Sequence, residues 1–446
     1  MTPPFPSADE RQEMNRLLVN NLDQAVDDLD IFTPDREFDA EISISQLRRG
    51  RREALADPVG MMTLVEVDGV LLWQEGAAVS SPALRRRRGR RAEGPGGEIV
   101  QQFKFEKLEP SKVGAFLERM DLKLTPERGL RKWDGGKLAA IDKPADKGRI
   151  LLIVHGTFSN TDAVVGELRA TAGGQAFLDR AVAHYSQVLT FDHPTISVSP
   201  VLNALDLARL FDSSSADVDV VCHSRGGLVT RWWMEAFDRK QRGRRAVLVG
   251  CPLNGTSLAA PPRLRAGLSL LTNVGRVLAP AADAASAVIP FLSVAAGLIR
   301  VLSSLSSLAA ASPMVDAAVA MIPGLAAMSR IGNNPELSRL NQDPASPPAE
   351  YFAVRSNFEP SSPGWAFWRY FVSPKERLVD VAVDTLVFDG QNDLVVDTAS
   401  MTELPPASAP PATRVLDFKT NDTVYHTNYF RQPQTLKFIA DSLQIP

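Results

Sequence analysis

Short continuous runs of apolar residues, each followed by a stretch with helical spacing, recur along the C-terminal two-thirds of the chain. The runs cover residues 150–155, 187–192, 218–223, 245–251, 351–355, 385–389 and 413–418. Helical periodicity marks residues 161–169, 174–184, 201–211, 226–239 and 430–443. β-Branched runs without alternation suit strands covered on both faces, as in a parallel sheet flanked by crossover helices. The pattern therefore predicts an α/β fold with an open, mostly parallel sheet and helices on both faces. Ligands of such a sheet gather at the carboxyl ends of its strands.

Residues 1–145 follow another pattern and read as a separate N-terminal α+β region of unknown role. Residues 9–41 are acidic and compatible with helix, and residues 64–73 read as a hairpin around Asp68-Gly69, the dipeptide a primed two-residue turn favours. Residues 98–108 alternate as a half-buried strand does. Between them, residues 79–97 form a loop with the basic run Arg85–Arg91. That run is a candidate for nucleic acid or anionic lipid, but its Pro and Gly flanks favour a solvated loop. Residues 146–446 carry the α/β pattern, interrupted at about 258–340 by an apolar insertion. Between Asp283 and Asp316 the only charge is Arg300. The uncharged runs on either side, 284–299 and 301–315, are too short for a spanning helix, which needs about 20 residues. The insertion reads as a helical cap or lid, with an ordinary buried helical subdomain as the plainer alternative.

Composition narrows the function classes. Forty-nine Lys and Arg against 52 Asp and Glu give a net charge of −3, which excludes binding to nucleic acid through global positive charge. Two cysteines, Cys222 and Cys251, allow neither a disulfide framework nor a cysteine zinc site. The first residues lack the basic and apolar segments of a signal peptide, so the expected location is cytoplasmic, with peripheral membrane association through the insertion as an option.

The strongest local signal is the segment from Val218 to Gly227, in which a buried strand ends at Cys222-His223-Ser224 and a helix starts at Arg225-Gly226-Gly227. A strand–Ser–helix turn is tight, strains the serine backbone and exposes its hydroxyl. Small residues are needed two before and two after the serine, where Cys222 and Gly226 stand. A serine hydroxyl attacks only if a base takes its proton and donors hold the oxyanion. The donors expected are backbone N–H groups of Thr157 or Phe158, in the loop after His155-Gly156, together with that of Arg225. The acid expected is Asp393, in the turn opened by Gly390, and the base is His426, in the loop before the last helix. Ser224, Asp393 and His426 occur in the chain order that α/β-hydrolase topology imposes. The rival histidines read differently: His155 and His223 as structural hydrogen-bonding groups, His184 as a surface residue and His193 as part of the turn before Pro194. Asp389 and Asp397 are rivals for the acid.

With these residues in place the chain resembles the α/β-hydrolase superfamily, and within it the lipase-like branch that includes GPI inositol-deacylase-like enzymes. The resemblance rests on His155-Gly156, the Cys222–Gly227 segment, Gly390-Gln-Asn-Asp393 and His426, with weaker matches at Gly255-Thr256-Ser257, Pro323-Gly-Leu325 and Leu340-Asn341. It covers residues 147–446. It implies a Ser–His–Asp triad without a cofactor: Ser224 as nucleophile, His426 as base and then acid, and Asp393 as its orienting partner. The implied reaction is hydrolysis of a carboxylic ester of a lipid or other acyl compound through an acyl-enzyme. Cys222 departs from the usual first glycine of the motif, and Thr157-Phe158 lie in an oxyanion loop that varies within the superfamily. Two other readings compete: a catalytically silent interaction module of the same fold, and a membrane-binding effector.

Overall fold

The computed structural model describes residues 5–29, 59–75, 98–260, 263–280, 292, 295–302, 304, 322–330, 334–342, 349–372, 386–388 and 390–446. The chain divides into two compact units. One comprises Met1–Phe116, Pro261–Met321 and Ser361–Asp389, and the other Leu117–Ala260, Ile322–Pro360 and Gly390–Pro446.

The first unit contains helix α1 (Ala8–Leu29) and a three-stranded antiparallel sheet of β1 (Val59–Val67), β2 (Val70–Glu75) and β3 (Glu98–Glu106), in the order β2-β1-β3. The expected hairpin is present: Val67 pairs with Val70, and Asp68 and Gly69 both take positive φ, 50° and 81°. That combination is the primed turn whose twist matches its strands. The Leu264–Leu278 helix, from the region expected to form a cap, covers the edge strand β2. Asn273 accepts from Leu71 N at 3.0 Å through Oδ1 and donates to Leu71 O at 2.7 Å through Nδ2, and Trp73 Nε1 donates to Thr272 Oγ1 at 2.9 Å. Side chains thus occupy backbone groups that an edge strand would otherwise present to another chain. Residues 295–302 are helical; the Arg85–Arg91 run and most of 284–315 lie outside the described residues. Among the described residues no helix is long and apolar enough to cross a membrane.

One expected strand is not formed. Residues 386–388 belong to no strand: the N–H groups of Val387 and Phe388 both donate to Phe371 O, at 2.9 and 3.2 Å, and Val387 O accepts from Arg263 Nη1 at 2.8 Å. A short apolar run fits any buried environment that satisfies its backbone, and periodicity alone does not separate these environments.

The second unit holds an eight-stranded sheet: β4 (Gly129–Trp133), β5 (Leu138–Ile141), β6 (Arg149–Val154), β7 (Gln187–Asp192), β8 (Asp217–His223), β9 (Gly243–Val249), β10 (Glu350–Phe358) and β11 (Val415–Asn421). Its order is β11-β10-β9-β8-β6-β7-β4-β5, with β6 to β11 parallel and β4 antiparallel to both β7 and β5. Numbered from the first strand of this sheet, the order reads 2-1-4-3-5-6-7-8 with an antiparallel first strand in the place next to the edge; strands 3 to 8 follow the order 4-3-5-6-7-8 of an α/β-hydrolase-like sheet. The sheet starts earlier in the chain than the sequence pattern indicates, because β4 and β5 are short and carry charged residues such as Arg131 and Lys132.

Helices lie on both faces. Leu151 and Ile153 of β6 pack with α2 (Thr161–Arg169), α3 (Ala172–His184) and α6 (Pro433–Leu443) through Val164, Phe177 and Ile439. Ile150, Leu152 and Val154 face α4 (Pro200–Leu210) and α5 (Gly226–Trp232) through Leu207 and Val229. Residues 150–154 are each at most 1% exposed, so every side chain of the run contributes about 2 kcal/mol of burial. This is why the strand reads as continuous rather than alternating. Asn160 and Thr171 cap α2 and α3 by accepting from Ala163 N and Gly174 N.

A buried carboxylate fixes the loop after β7. Asp121, at the end of the Pro110–Leu124 helix, accepts from the N–H groups of Thr195, Ile196 and Ser197 at 2.8, 3.0 and 2.6 Å, and from Ser197 Oγ at 2.6 Å. Asp121, Thr195 and Ile196 are fully buried, so truncation leaves donors with no water to replace the lost acceptor. Asp121→Ala is expected to lower unfolding free energy by about 3 kcal/mol, measured by urea denaturation at pH 7.

Candidate active site

Ser224 follows the last residue of β8 and precedes α5 by one residue. Its φ is +54°, a left-handed conformation that costs a non-glycine residue of order 1–3 kcal/mol. Its backbone is held there because Ser224 N donates to Val249 O at 2.9 Å and Ser224 O accepts from Gly227 N at 3.0 Å. The turn also requires missing side chains. A Cβ on Gly226 would lie 2.5 Å from Val154 O and 2.7 Å from His155 O, and one on Gly156 would lie 2.6 Å from Ser224 Cβ. Cys222, at the other small-residue position, is buried beneath the turn with its sulfur 4.0 Å from that of Cys251.

Asp393 reaches the same end of the sheet by a route the sequence pattern does not reveal. β10 ends at Phe358, residues 361–389 belong to the first unit, and the chain then returns to β10. Phe358 N donates to Asn392 O at 2.8 Å, and Asn392 N to Asn357 Oδ1 at 3.1 Å. Asp393 therefore follows β10, and not a strand at 385–389. Leu394 has φ +88°, which turns the backbone so that Val395 N and Val396 N donate to Asp393 Oδ1 at 3.2 and 2.8 Å. Asp393 Oδ2 accepts from His426 Nδ1 at 2.8 Å, and His426 N donates to Asp393 O at 3.0 Å. Asp397 has a different task, accepting from Ser257 N and Oγ at 2.8 and 2.9 Å. Asp389 lies outside the described residues.

His426 is 5% exposed and sits against the residue that precedes Ser224. The His223 and His426 ring centroids are 4.7 Å apart, and His223 Nε2 donates to His426 O at 2.8 Å. The structure thus joins His426 to Asp393 directly and to Ser224 through His223. Among the described residues no hydrogen bond links Ser224 Oγ to the imidazole.

Of the expected oxyanion donors, Phe158 N is already engaged, donating to Thr195 Oγ1 at 3.2 Å, with Phe158 at φ +59°. The backbone N–H groups of Thr157 and Arg225 have no protein acceptor among the described residues. Arg225 is fully buried, with Nη2 donating to Val198 O at 2.5 Å and to Asn203 Oδ1 at 2.8 Å. Burial pulls its pKa down to about 10, which leaves the guanidinium charged at neutral pH.

His155 and His193 form a supporting layer. His155 Nδ1 donates to Gly156 O at 2.9 Å, its Nε2 accepts from His193 N at 3.2 Å, and the two rings stack at 4.0 Å. His193 Nδ1 donates to Phe191 O at 3.1 Å. Burial lowers the pKa of both and favours neutral rings. His184 ends α3 with Nε2 3.0 Å from Arg149 Nη1. One contact escaped sequence reasoning: Tyr429 Oη donates to Asp393 Oδ2 at 2.9 Å. Its spacing of three residues from His426 was the available signal, but spacing does not show where a side chain turns.

His223 gives a pH-dependent stability. Burial, and then the neighbouring His426, hold its pKa down to about 3 against an ordinary 6.5. Between those values the unfolded chain binds a proton that the folded chain does not, so stability falls with pH in this window and is unaffected above it. His223→Gln, which keeps a donor for His426 O, is expected to flatten the decline between pH 6 and pH 4. The expected change is on the order of 1 kcal/mol per pH unit, read from urea denaturation at each pH.

Comparison with solved structures finds low-identity similarities. Lipase BlEst2 of Bacillus licheniformis in its mature form is 14% identical over 69% of this chain and 96% of its own, with a TM-score of 0.36. Lipase 1 from Pelosinus fermentans is 14% identical over 68% and 98%, with a TM-score of 0.40. Phospholipase PlaB from Legionella pneumophila is 13% identical over 57% of this chain, which spans 45% of the phospholipase, with a TM-score of 0.32. No curated protein matches the sequence. A family model matches residues 123–444, which takes in the eight-stranded sheet and every residue of the candidate site. The chain belongs to the family described as Domain of unknown function (DUF7379).

Proposed function

We propose that this chain is a serine hydrolase that cleaves carboxylic esters of lipids or other acyl compounds. The observation that carries this reading is the 2.8 Å hydrogen bond between His426 and a fully buried Asp393, formed beside the strained turn at Ser224. A carboxylate bound to Nδ1 fixes the imidazole tautomer and leaves Nε2 as the basic nitrogen.

In the proposed reaction, Ser224 Oγ attacks the acyl carbonyl while its proton passes to His426 Nε2. Proton transfer requires about 2.6–3.2 Å between the two atoms, so the Ser224–His426 hydrogen bond forms as substrate binds. The resulting oxyanion accepts from the free N–H groups of Thr157 and Arg225, and Phe158 N supports the loop through Thr195. Preorganised donors of this kind act without reorganising during the reaction. His426 then protonates the leaving alcohol, and water repeats the sequence on the acyl-enzyme.

Purified protein treated with a fluorophosphonate is expected to carry the label on Ser224, with none on Ser224→Ala. Nitrophenyl esters of graded acyl length should be hydrolysed by wild type, with kcat/KM lower by about 10³-fold or more in Ser224→Ala and His426→Ala. Absence of both labelling and turnover would leave the silent interaction module as the surviving account of the fold.

A further inference from the structure

The Asp393 carboxylate accepts four hydrogen bonds, two on each oxygen. Val395 N and Val396 N take Oδ1, and His426 Nδ1 shares Oδ2 with the hydroxyl of Tyr429. Tyr429 opens the short 3-10 turn Tyr429–Arg431 and is 1% exposed. Space for its ring comes from Gly250, which has φ +58°. A Cβ there would lie 2.8 Å from Tyr429 Cε2, 3.3 Å from Asp393 Oδ2 and 3.4 Å from His426 Nδ1. Phenylalanine would fill the same volume, so what the tyrosine adds is a second proton donor on the oxygen that His426 uses.

We propose that Tyr429 is a positioning residue that sets the pH range over which His426 can act as a base, by drawing negative charge from Asp393 Oδ2. A hydrogen bond to a carboxylate stabilises its charge and weakens its attraction for a neighbouring cation. With Tyr429 in place the imidazolium is less favoured, and His426 remains a free base to lower pH. Without the hydroxyl, Oδ2 serves His426 alone and holds the imidazolium more strongly. The consequence for turnover rests on the triad reading above; the effect on His426 protonation does not.

Other titratable groups around this cluster keep their charge. His223, its ring tilted against that of His426, stays neutral down to about pH 3, and burial holds Cys251, beside Tyr429, as a thiol. Burial and the charge of Asp393 keep the Tyr429 phenol protonated. Arg431, at the end of the same turn, is paired with Glu167 at 2.7 Å.

The test compares wild type with Tyr429→Phe, and with a fluorinated tyrosine at 429, a stronger donor of the same shape. His426 ring signals are followed by NMR from pH 4 to 9, and kcat/KM for a nitrophenyl ester over the same range. In Tyr429→Phe both the NMR midpoint and the acid limb are expected to move up by about 0.5 pH unit or more. That makes kcat/KM about threefold lower on the acid limb and nearly unchanged at pH 8. The fluorinated residue is expected to move both the other way. Superimposable titrations in all three proteins would overturn the proposal. If Tyr429→Phe does not fold, the fluorinated protein decides alone, and an unmoved midpoint there overturns it. Displaced NMR midpoints without ester turnover in wild type would uphold the role of Tyr429 and remove the hydrolase reading; turnover with unmoved midpoints would do the reverse.

Discussion

At Gly226 the first turn of α5 meets the carbonyls of Val154 and His155 with no room for a Cβ. This contact between the carboxyl end of β6 and the turn after β8 governs the geometry of the candidate site. It is possible because β6 and β8 are parallel neighbours, Val154 pairing with Cys222, so both strands end at the same height. It also locks Ser224 into a left-handed conformation, with Gly156 on one side and the Val249 carbonyl on the other. Such strain persists only where surrounding structure over-determines it. Here the determinants are two strands buried along their interior and a helix that begins one residue later.

The polar groups beneath the site depend on the same burial. His155, His193 and His223 are held as neutral rings whose nitrogens bridge Gly156, Phe191 and His426 through backbone atoms. Three imidazoles close to one serine thus act mainly as fixed hydrogen-bonding parts, each tying one loop to the next. His426 differs because its Nδ1 is hydrogen-bonded to a carboxylate at 2.8 Å, whereas His155 Nε2 stands 3.6 Å from Asp192 Oδ1 and accepts a backbone N–H instead.

The chain's excursion between Phe358 and Gly390 shows how insertion and site are reconciled. Residues 361–389 leave the second unit, yet the two ends are rejoined by hydrogen bonds from Phe358 and Asn392. Such an excursion is tolerated because loop closure costs little more as the loop lengthens.

The sequence by itself determined the parallel strands of the sheet and the tight turn at Ser224. The apolar runs at 150–155, 187–192, 218–223 and 245–251 became β6 to β9, because a strand buried on both faces must be apolar at every position. Residues 161–169 became α2, capped by the side chain of Asn160. The small residues around Ser224 marked the tight turn, since only they fit it. Tertiary structure decided the rest, which depends on distance across the fold. β4 and β5 join the sheet through pairing with β7, and residues 386–388 pair with Phe371 instead of forming a strand. Thr195 takes the Phe158 N–H and leaves that of Thr157 free, and Tyr429 turns onto Asp393. Periodicity records which face of an element is buried, and that is local. Which partner buries it, and which lone pair a hydroxyl meets, is fixed only when distant segments close on one another.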